Sequence, residues 1–289
     1  MNTMQVCIYS YIRENHWCRE LFPNMHPLEL PLAGKSLRAH LLGFCTFLKV
    51  IGVSDVLVSD CDYTDEMARC MGDGSYWSLT LDYQRGRRFL SLGQFLEFYK
   101  RFKADDAMIV WGDVLPVVND RSEFLDKLEP IEDPMLAQDD GIYLYVNECL
   151  FKWECPLYKI DTLKNYFDAN FRMLNQPGLH VLPGYSPKQE YSIGRNVRIK
   201  PGCEIEAPVV LGDNVCLARG VTAHDGVIVG ANVVIDEKTE LSHSVIFDHS
   251  YIGRGLFIKN KIVSGNRIID PELNVLVALD DAFLAEDCK

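Results

Sequence analysis

Basic residues are in short supply. Twenty-nine Lys and Arg face 41 Asp and Glu, for a formal net charge of -12. That excess of acid is a poor match to a nucleic-acid backbone or an anionic membrane, so neither is expected as a partner. No run of about 18 apolar residues occurs, which excludes a conventional membrane-crossing helix. The opening MNTMQVCIYSYIRENHW has no basic start followed by an apolar core and does not read as a signal peptide. A cytoplasmic location is the expectation. No CxxC is present, and the 10 cysteines fall at irregular spacings. Reduced, buried thiols are expected; Cys149 with Cys155 is a weak start for a zinc site. What remains is an ordinary globular composition, 48% hydrophobic and 24% charged, with apolar mass for one large core or two modest ones.

A repeat is present. Every sixth residue from Val197 runs Cys203, Val209, Val215, Val221, Val227, Val233, Thr239, Val245, Tyr251, Phe257, Val263 and Ile269. A second series runs Ile193, Ile199, Ile205, Leu211, Leu217, Ala223, Val229, Ile235, Leu241 and Phe247. An α-helix with about 3.6 residues per turn cannot keep a period of six on one face. Each hexad reads as a short strand and a turn, and three hexads close one coil of a parallel β-helix from about Ile193 to Ile269. The pairs Ile193-Gly194, Leu211-Gly212 and Val229-Gly230 are 18 residues apart, one coil. Glycine there serves either a positive φ or a close approach of two coils. After Phe247 the phase slips by one residue, to Tyr251-Ile252-Gly253. The spacing predicts between four and five coils.

The first two thirds alternate strands with helices. Strands are expected at Met4–Tyr11, Asp55–Ser59, Ser78–Tyr83, Ala107–Trp111 and Ile142–Val146. Helices are expected at Ser36–Val50, Leu92–Phe102, Asp120–Leu128 and Thr162–Leu174, with Gly52 as a stop after the first. This order argues for a layered α/β domain with a parallel sheet. The Pro- and Gly-rich Asn175–Glu190 stretch is the expected boundary.

Several local patterns carry a resemblance. Pro31-Leu32-Ala33-Gly34-Lys35-Ser36-Leu37, Gly52-Val53-Ser54-Asp55-Val56-Leu57-Val58, Gly72-Asp73-Gly74, Val110-Trp111-Gly112-Asp113, and Tyr166 with Ala169-Asn170 and Leu174 follow one another in order. In that order they resemble the motifs of the sugar-phosphate nucleotidyltransferase family, the nucleotide-sugar pyrophosphorylases. The resemblance implies an α/β fold with a Rossmann-like, mostly parallel-sheet nucleotidyltransferase-like domain over residues 1–176. It implies a left-handed hexapeptide β-helix over 190–270, followed by a tail over 271–289. The left hand comes from the family; general crossover rules would give the opposite one.

The resemblance also implies a chemistry: transfer of a nucleotidyl group from a nucleoside triphosphate to a sugar 1-phosphate, with magnesium. Metal and basic groups would stabilise charge on the phosphoryl oxygens. Asp113, at the carboxyl end of an apolar strand, is the expected magnesium ligand. Arg13 would stand in for the arginine of the family's phosphate loop, and Lys35 would approach the sugar phosphate. The Arg85, Arg87 and Arg88 cluster is a further anion candidate or a solvated turn. The departures are as marked. The family's G-G-x-G-T-R loop is replaced by Ile8-Tyr9-Ser10-Tyr11-Ile12-Arg13-Glu14-Asn15, without glycine. Its D-V-G-T becomes Lys159-Ile160-Asp161-Thr162, and much of the sugar-binding lobe is absent.

Two other readings stand beside catalysis. One is a degenerate regulatory or scaffold homologue, working as a homo-oligomer or with a related subunit. The other is a hexapeptide-repeat acyltransferase using a histidine base, with His224, His243 and His249 as candidates. Six residues separate His243 from His249, which would let them stack on one face.

Overall fold

The computed structural model describes residues 4–10, 17–23, 25–60, 68–69, 71–85, 91–102, 106–118, 127–135, 137, 139–176, 190–280 and 284–287. The chain divides into two compact units. Among the described residues, the first holds 4–29 and 37–161, and the second holds 30–36, 162–176 and 190–287. No helix among the described residues is long and apolar enough to cross a membrane.

The first unit is built on a seven-stranded sheet. Its order is Thr80–Arg85, Asp55–Asp60, Gln5–Ser10, Ala107–Trp111, Gly141–Val146, Cys149–Trp153 and Leu128–Pro130. Ala107–Trp111 is buried at every position, as a central strand covered on both faces must be. The first four strands run parallel. The other three join antiparallel, so the sheet is mixed rather than mostly parallel. The cause is local. Asn147 and Glu148, both at positive φ, make a two-residue turn between Gly141–Val146 and Cys149–Trp153. A connection that short can join only antiparallel neighbours. The expected helix over Asp120–Leu128 lies largely outside the described residues, and Leu128 opens a strand. The helices Leu37–Phe47 and Leu92–Phe102 form where the apolar period placed them. One packs Tyr9, Phe95, Tyr99 and Trp111 into an aromatic cluster on the sheet, with Tyr9 stacked on Trp111 at 4.4 Å.

The second unit is a stack of parallel coils. Tyr191–Ile193 pairs with Val209–Leu211, which pairs with Val227–Val229, each residue meeting the one 18 further on. The other two sides repeat this: Arg198–Ile199 on Cys216–Leu217, and Glu204–Ile205 on Thr222–Ala223. Leu211, Leu217, Ala223, Val229, Ile235 and Leu241 fill the axis together with Val209, Val215, Val221, Val227 and Val233. Gly194, Gly212 and Gly230 answer the question left by their spacing. None has a positive φ, and a Cβ at Gly212 would lie 2.6 Å from the carbonyl carbon of Gly230. Close approach is therefore their role. Positive φ falls two residues later, at Asn196, Asn214 and Asn232, whose side-chain amides bond to one another at 2.9 and 2.8 Å.

The phase slip occurs earlier than the sequence suggests. His224 pairs with Ser242, but Val227 already pairs with Ser244, so Asp225 and Gly226 in one coil face His243 alone in the next. Ile246, not Phe247, then continues the axial series, followed by Ile252, Ile258 and Val263. The tail folds back on the last coil: Val275–Ala278 pairs with Arg267–Asp270, and Ala285–Asp287 with Ser250–Ile252, both antiparallel.

One side of the coil is apolar outside as well as inside. By alternation Val210, Ile228, Val245 and Ile262 face outward, yet each is at most 1% exposed. The Leu163–Asn175 helix lies on this side. Thr162 caps it, accepting from the Asn165 N–H at 3.1 Å. Its Phe171 ring stacks on His243 at 3.7 Å and sits 3.3 Å from where a Gly226 Cβ would be. The same helix holds the Pro31–Ser36 hairpin. Asn170 Oδ1 accepts from the buried Ala33 N–H at 2.8 Å, and the Tyr166 hydroxyl donates to the Pro31 carbonyl.

Candidate functional site

In the first unit the strand order reverses between Gln5–Ser10 and Ala107–Trp111. Parallel α/β sheets bind ligands outside the carboxyl ends of the strands at such a switch point. Gly112 and Asp113 follow directly there. Gly112 has φ +83°, and its N–H donates to the Tyr9 carbonyl at 2.9 Å. A Cβ on Gly112 would collide with the Asp140 carboxyl group, so the glycine is required for Asp140 to reach this end. Asp113 is 5% exposed, and its backbone carbonyl accepts from the Ile160 N–H at 3.1 Å. That bond brings Asp161 next to the same strand end. Asp140 and Asp161 are additions the sequence did not single out. The signal would have been long-range pairing: Trp111 opposite Gly141, and Val114 opposite Lys159.

Trp17–Leu21 lies at the same place. The Trp17 indole N–H donates to the Ile160 carbonyl at 2.8 Å. Burial pushes the Cys18 thiol up to about 12, with Asp113 raising it further and Arg19 opposing. Cys18 is therefore an inert thiol, and the Arg19 guanidinium and the Asp113 carboxylate are both within electrostatic reach of it. Arg13, Arg87 and Arg88, and the side chain of Arg85, lie outside the described residues. Lys35 belongs to the second unit, on the hairpin held by Asn170 and Tyr166. It is half-buried, and that burial lowers its pKa from the usual lysine range.

The second unit carries a polar cluster at the coil irregularity. His224 Nδ1 lies 2.8 Å from Asp225 Oδ2, and Nε2 lies 2.9 Å from Glu240 Oε1. Both ring nitrogens thus meet carboxylates. Glu240 first and Asp225 second raise the His224 pKa. Asp225 is held below the usual carboxylate range by His224 and by the Ser242 hydroxyl, which donates at 3.0 Å. An imidazole bracketed in this way holds its protons and is a poor general base. His243 differs. Its Nδ1 is 3.2 Å from the Asp225 carbonyl, which selects the Nδ1–H tautomer and leaves Nε2 as an acceptor. His249 is exposed, its backbone N–H donating to the Ala231 carbonyl at 2.9 Å, whereas His243 meets Asp225, Phe167 and Phe171. A stacked His243–His249 pair is not what forms.

The family model for the bacterial transferase hexapeptide (six repeats) matches residues 191–224. The match covers the first coils of the second unit and no residue of the sheet. No curated protein matches the chain.

Proposed function

We propose that the chain is a nucleotidyltransferase-like protein that binds a phosphate-bearing nucleotide at the switch point of its sheet and acts as a regulatory or scaffold homologue. The observation that carries this reading is the strand reversal beside Gly112-Asp113. Arg19, on the Trp17–Leu21 helix whose Trp17 indole bonds to Ile160, is the basic residue we assign to the nucleotide phosphates. Asp113 would hold a magnesium ion that accompanies the nucleotide, since magnesium needs only one or two carboxylates beside the phosphate oxygens. The glycine-free Ile8–Asn15 segment and the reduced sugar-binding lobe favour binding over nucleotidyl transfer in the first unit. The second unit is read as a left-handed hexapeptide β-helix that serves assembly, since such repeats commonly pack into oligomers. A cytoplasmic location accords with the buried thiols of Cys7, Cys18 and Cys45.

Calorimetry with each common nucleoside triphosphate, with and without magnesium, tests the reading. Binding by at least one, weakened in Asp113→Asn or Arg19→Ala, is expected. No heat with any of them would sink it. Pyrophosphate release in the presence of a sugar 1-phosphate would overturn the non-catalytic half.

A second reading has one specific observation behind it. The tautomer imposed on His243 leaves Nε2 able to take a proton from an acceptor hydroxyl, which is what an acyltransferase of the hexapeptide type needs. Acetyl-coenzyme A binding that vanishes in His243→Ala would support it; no binding by the wild-type chain would eliminate it.

A further inference from the structure

Among the described residues, the last coil ends in an open sheet edge. Val275–Ala278 is the terminal strand of its sheet and pairs on one side with Arg267–Asp270. The Leu279 N–H donates to the Asn266 carbonyl at 2.8 Å. Hydrogen-bonded and non-bonded pairs alternate in an antiparallel ladder. Val277 with Ile268 and Val275 with Asp270 are therefore the bonded pairs, and the backbone groups of Leu276 and Ala278 point to the open side.

The side chains make the same edge apolar. Pairing runs from Ile246 through Val263 and Ile268 to Val277. Ile246 and Val263 belong to the coil interior, and Ile268 packs against it. Val277 continues that row but is 50% exposed, with Val275 at 46% and Leu273 at 72%. An interior row that runs out beside free backbone donors and acceptors is a template for one more strand.

Charge narrows the occupant. Exposed Asp280 follows the strand, whereas Glu272 before it is already paired with Lys164 Nζ at 2.9 Å. The tail cannot fill the edge, because Ala285–Asp287 is already paired with Ser250–Ile252. A second copy would bring a net charge of -12 against a chain of the same charge. We propose that this edge binds an extended segment of another polypeptide, apolar at alternate positions and carrying lysine or arginine at the end that meets Asp280. The proposal is independent of the nucleotide reading.

The test uses the full chain and two capped peptides, Lys-Val-Thr-Val-Thr-Val-Lys and Glu-Val-Thr-Val-Thr-Val-Glu. The lysine-flanked peptide should shift the amide resonances of Leu276 and Ala278, with affinity falling as salt rises. Leu276→Pro removes an N–H that no described residue accepts, and should weaken binding by about tenfold. Should that variant fold poorly, Asp280→Lys serves instead: it should weaken the lysine-flanked peptide and strengthen the glutamate-flanked one. No shift at about 1 mM peptide, shifts elsewhere, equal response to both peptides, or indifference to Asp280→Lys would each overturn the proposal. Self-association that Leu276→Pro abolishes would overturn it too, by showing a second copy to be the occupant.

Discussion

Replacing Gly212 with alanine measures how tightly the coils are locked. A Cβ there would lie 2.6 Å from Gly230 C, 2.7 Å from Ala231 N and 2.8 Å from Gly230 O. All three are backbone atoms, so no rotamer change relieves the overlap. Unbonded carbons sit comfortably at roughly 3.5 Å or more, which leaves an overlap of about 0.9 Å against Gly230 C. Paired strands lie about 4.8 Å apart, so the corner must open by a sizeable fraction of that spacing. The bonds that resist are Gly194 N–H to Leu211 at 2.7 Å, Gly212 N–H to Val229 at 2.8 Å and Gly230 N–H to Ile246 at 2.8 Å. Overpacking costs about 1–3 kcal/mol, and weakening one ladder bond adds about 1 kcal/mol, for a total of about 2–4 kcal/mol. Gly220→Ala is the control. Its φ is +72°, but the nearest atom to its Cβ is Lys238 Cγ at 3.7 Å. It should lose only the about 1–2 kcal/mol of a left-handed backbone. The units can be followed separately, because Trp17, Trp77, Trp111 and Trp153, the 4 tryptophans of the chain, all lie in the first. In urea, Gly212→Ala should lower the coil midpoint seen by far-ultraviolet circular dichroism by about 1–2 M and leave the tryptophan transition in place. A Gly220→Ala loss equal to or larger than that of Gly212→Ala would refute the argument.

Three further outcomes are expected. The raised His224 pKa stabilises the coil fully below the unfolded histidine value of about 6.5, and this is lost as pH rises through the folded value. The lowered Asp225 pKa contributes above about 3.9 and is lost on acidification, so coil stability should peak between about pH 4 and 6.5. His224→Gln should abolish the alkaline decline; a wild-type melting profile that is flat from about pH 5 to 8 would contradict the assignment. Asn170→Leu deprives the buried Ala33 N–H of its acceptor and should cost about 2 kcal/mol in thermal unfolding. Asn175→Ala, whose side chain caps the half-buried Phe171 carbonyl, should cost less. Burial pushes Cys45 to about 12 as it does Cys18, whereas Cys149 is exposed. A disulfide reagent at about pH 8 should label Cys149 in the native chain, and native labelling of Cys18 would contradict its burial.

The coil was legible because its period repeats on every rung. The position of its slip was not, because Val245, Ile246 and Phe247 are all apolar and any of them satisfies a hydrophobic series. The register shows the deletion at His243, where one polar residue replaces Asp225-Gly226. In the sheet, the apolar run of Ala107–Trp111 placed Asp113 at a strand end. Asp140 and Asp161 became its neighbours only through pairings tens of residues away, which no local pattern records. The Asn147-Glu148 turn escaped notice because neither residue is glycine, yet both take positive φ. The outward Val210, Ile228, Val245 and Ile262 row was open to reading at the same 17- to 18-residue spacing. It predicts a covered face, and the Leu163–Asn175 helix lies on that side.

That helix gives the family resemblance a physical content. Tyr166 and Asn170, two residues that carry the resemblance, bind the backbone of the hairpin that carries another of its motifs, Pro31 to Lys35. One residue beyond each of them, Phe167 and Phe171 turn to His243 of the coil. A single helix thus reads the hairpin with one face and the coil with the adjoining one, as side chains three to four residues apart allow. Neither bond from Tyr166 or Asn170 requires a ligand; each satisfies a backbone group that would otherwise be stranded. These residues serve the packing of the second unit whether or not a nucleotide is ever transferred. Their agreement with the family pattern is therefore evidence about architecture, and the case for chemistry rests on Asp113 and its neighbours alone.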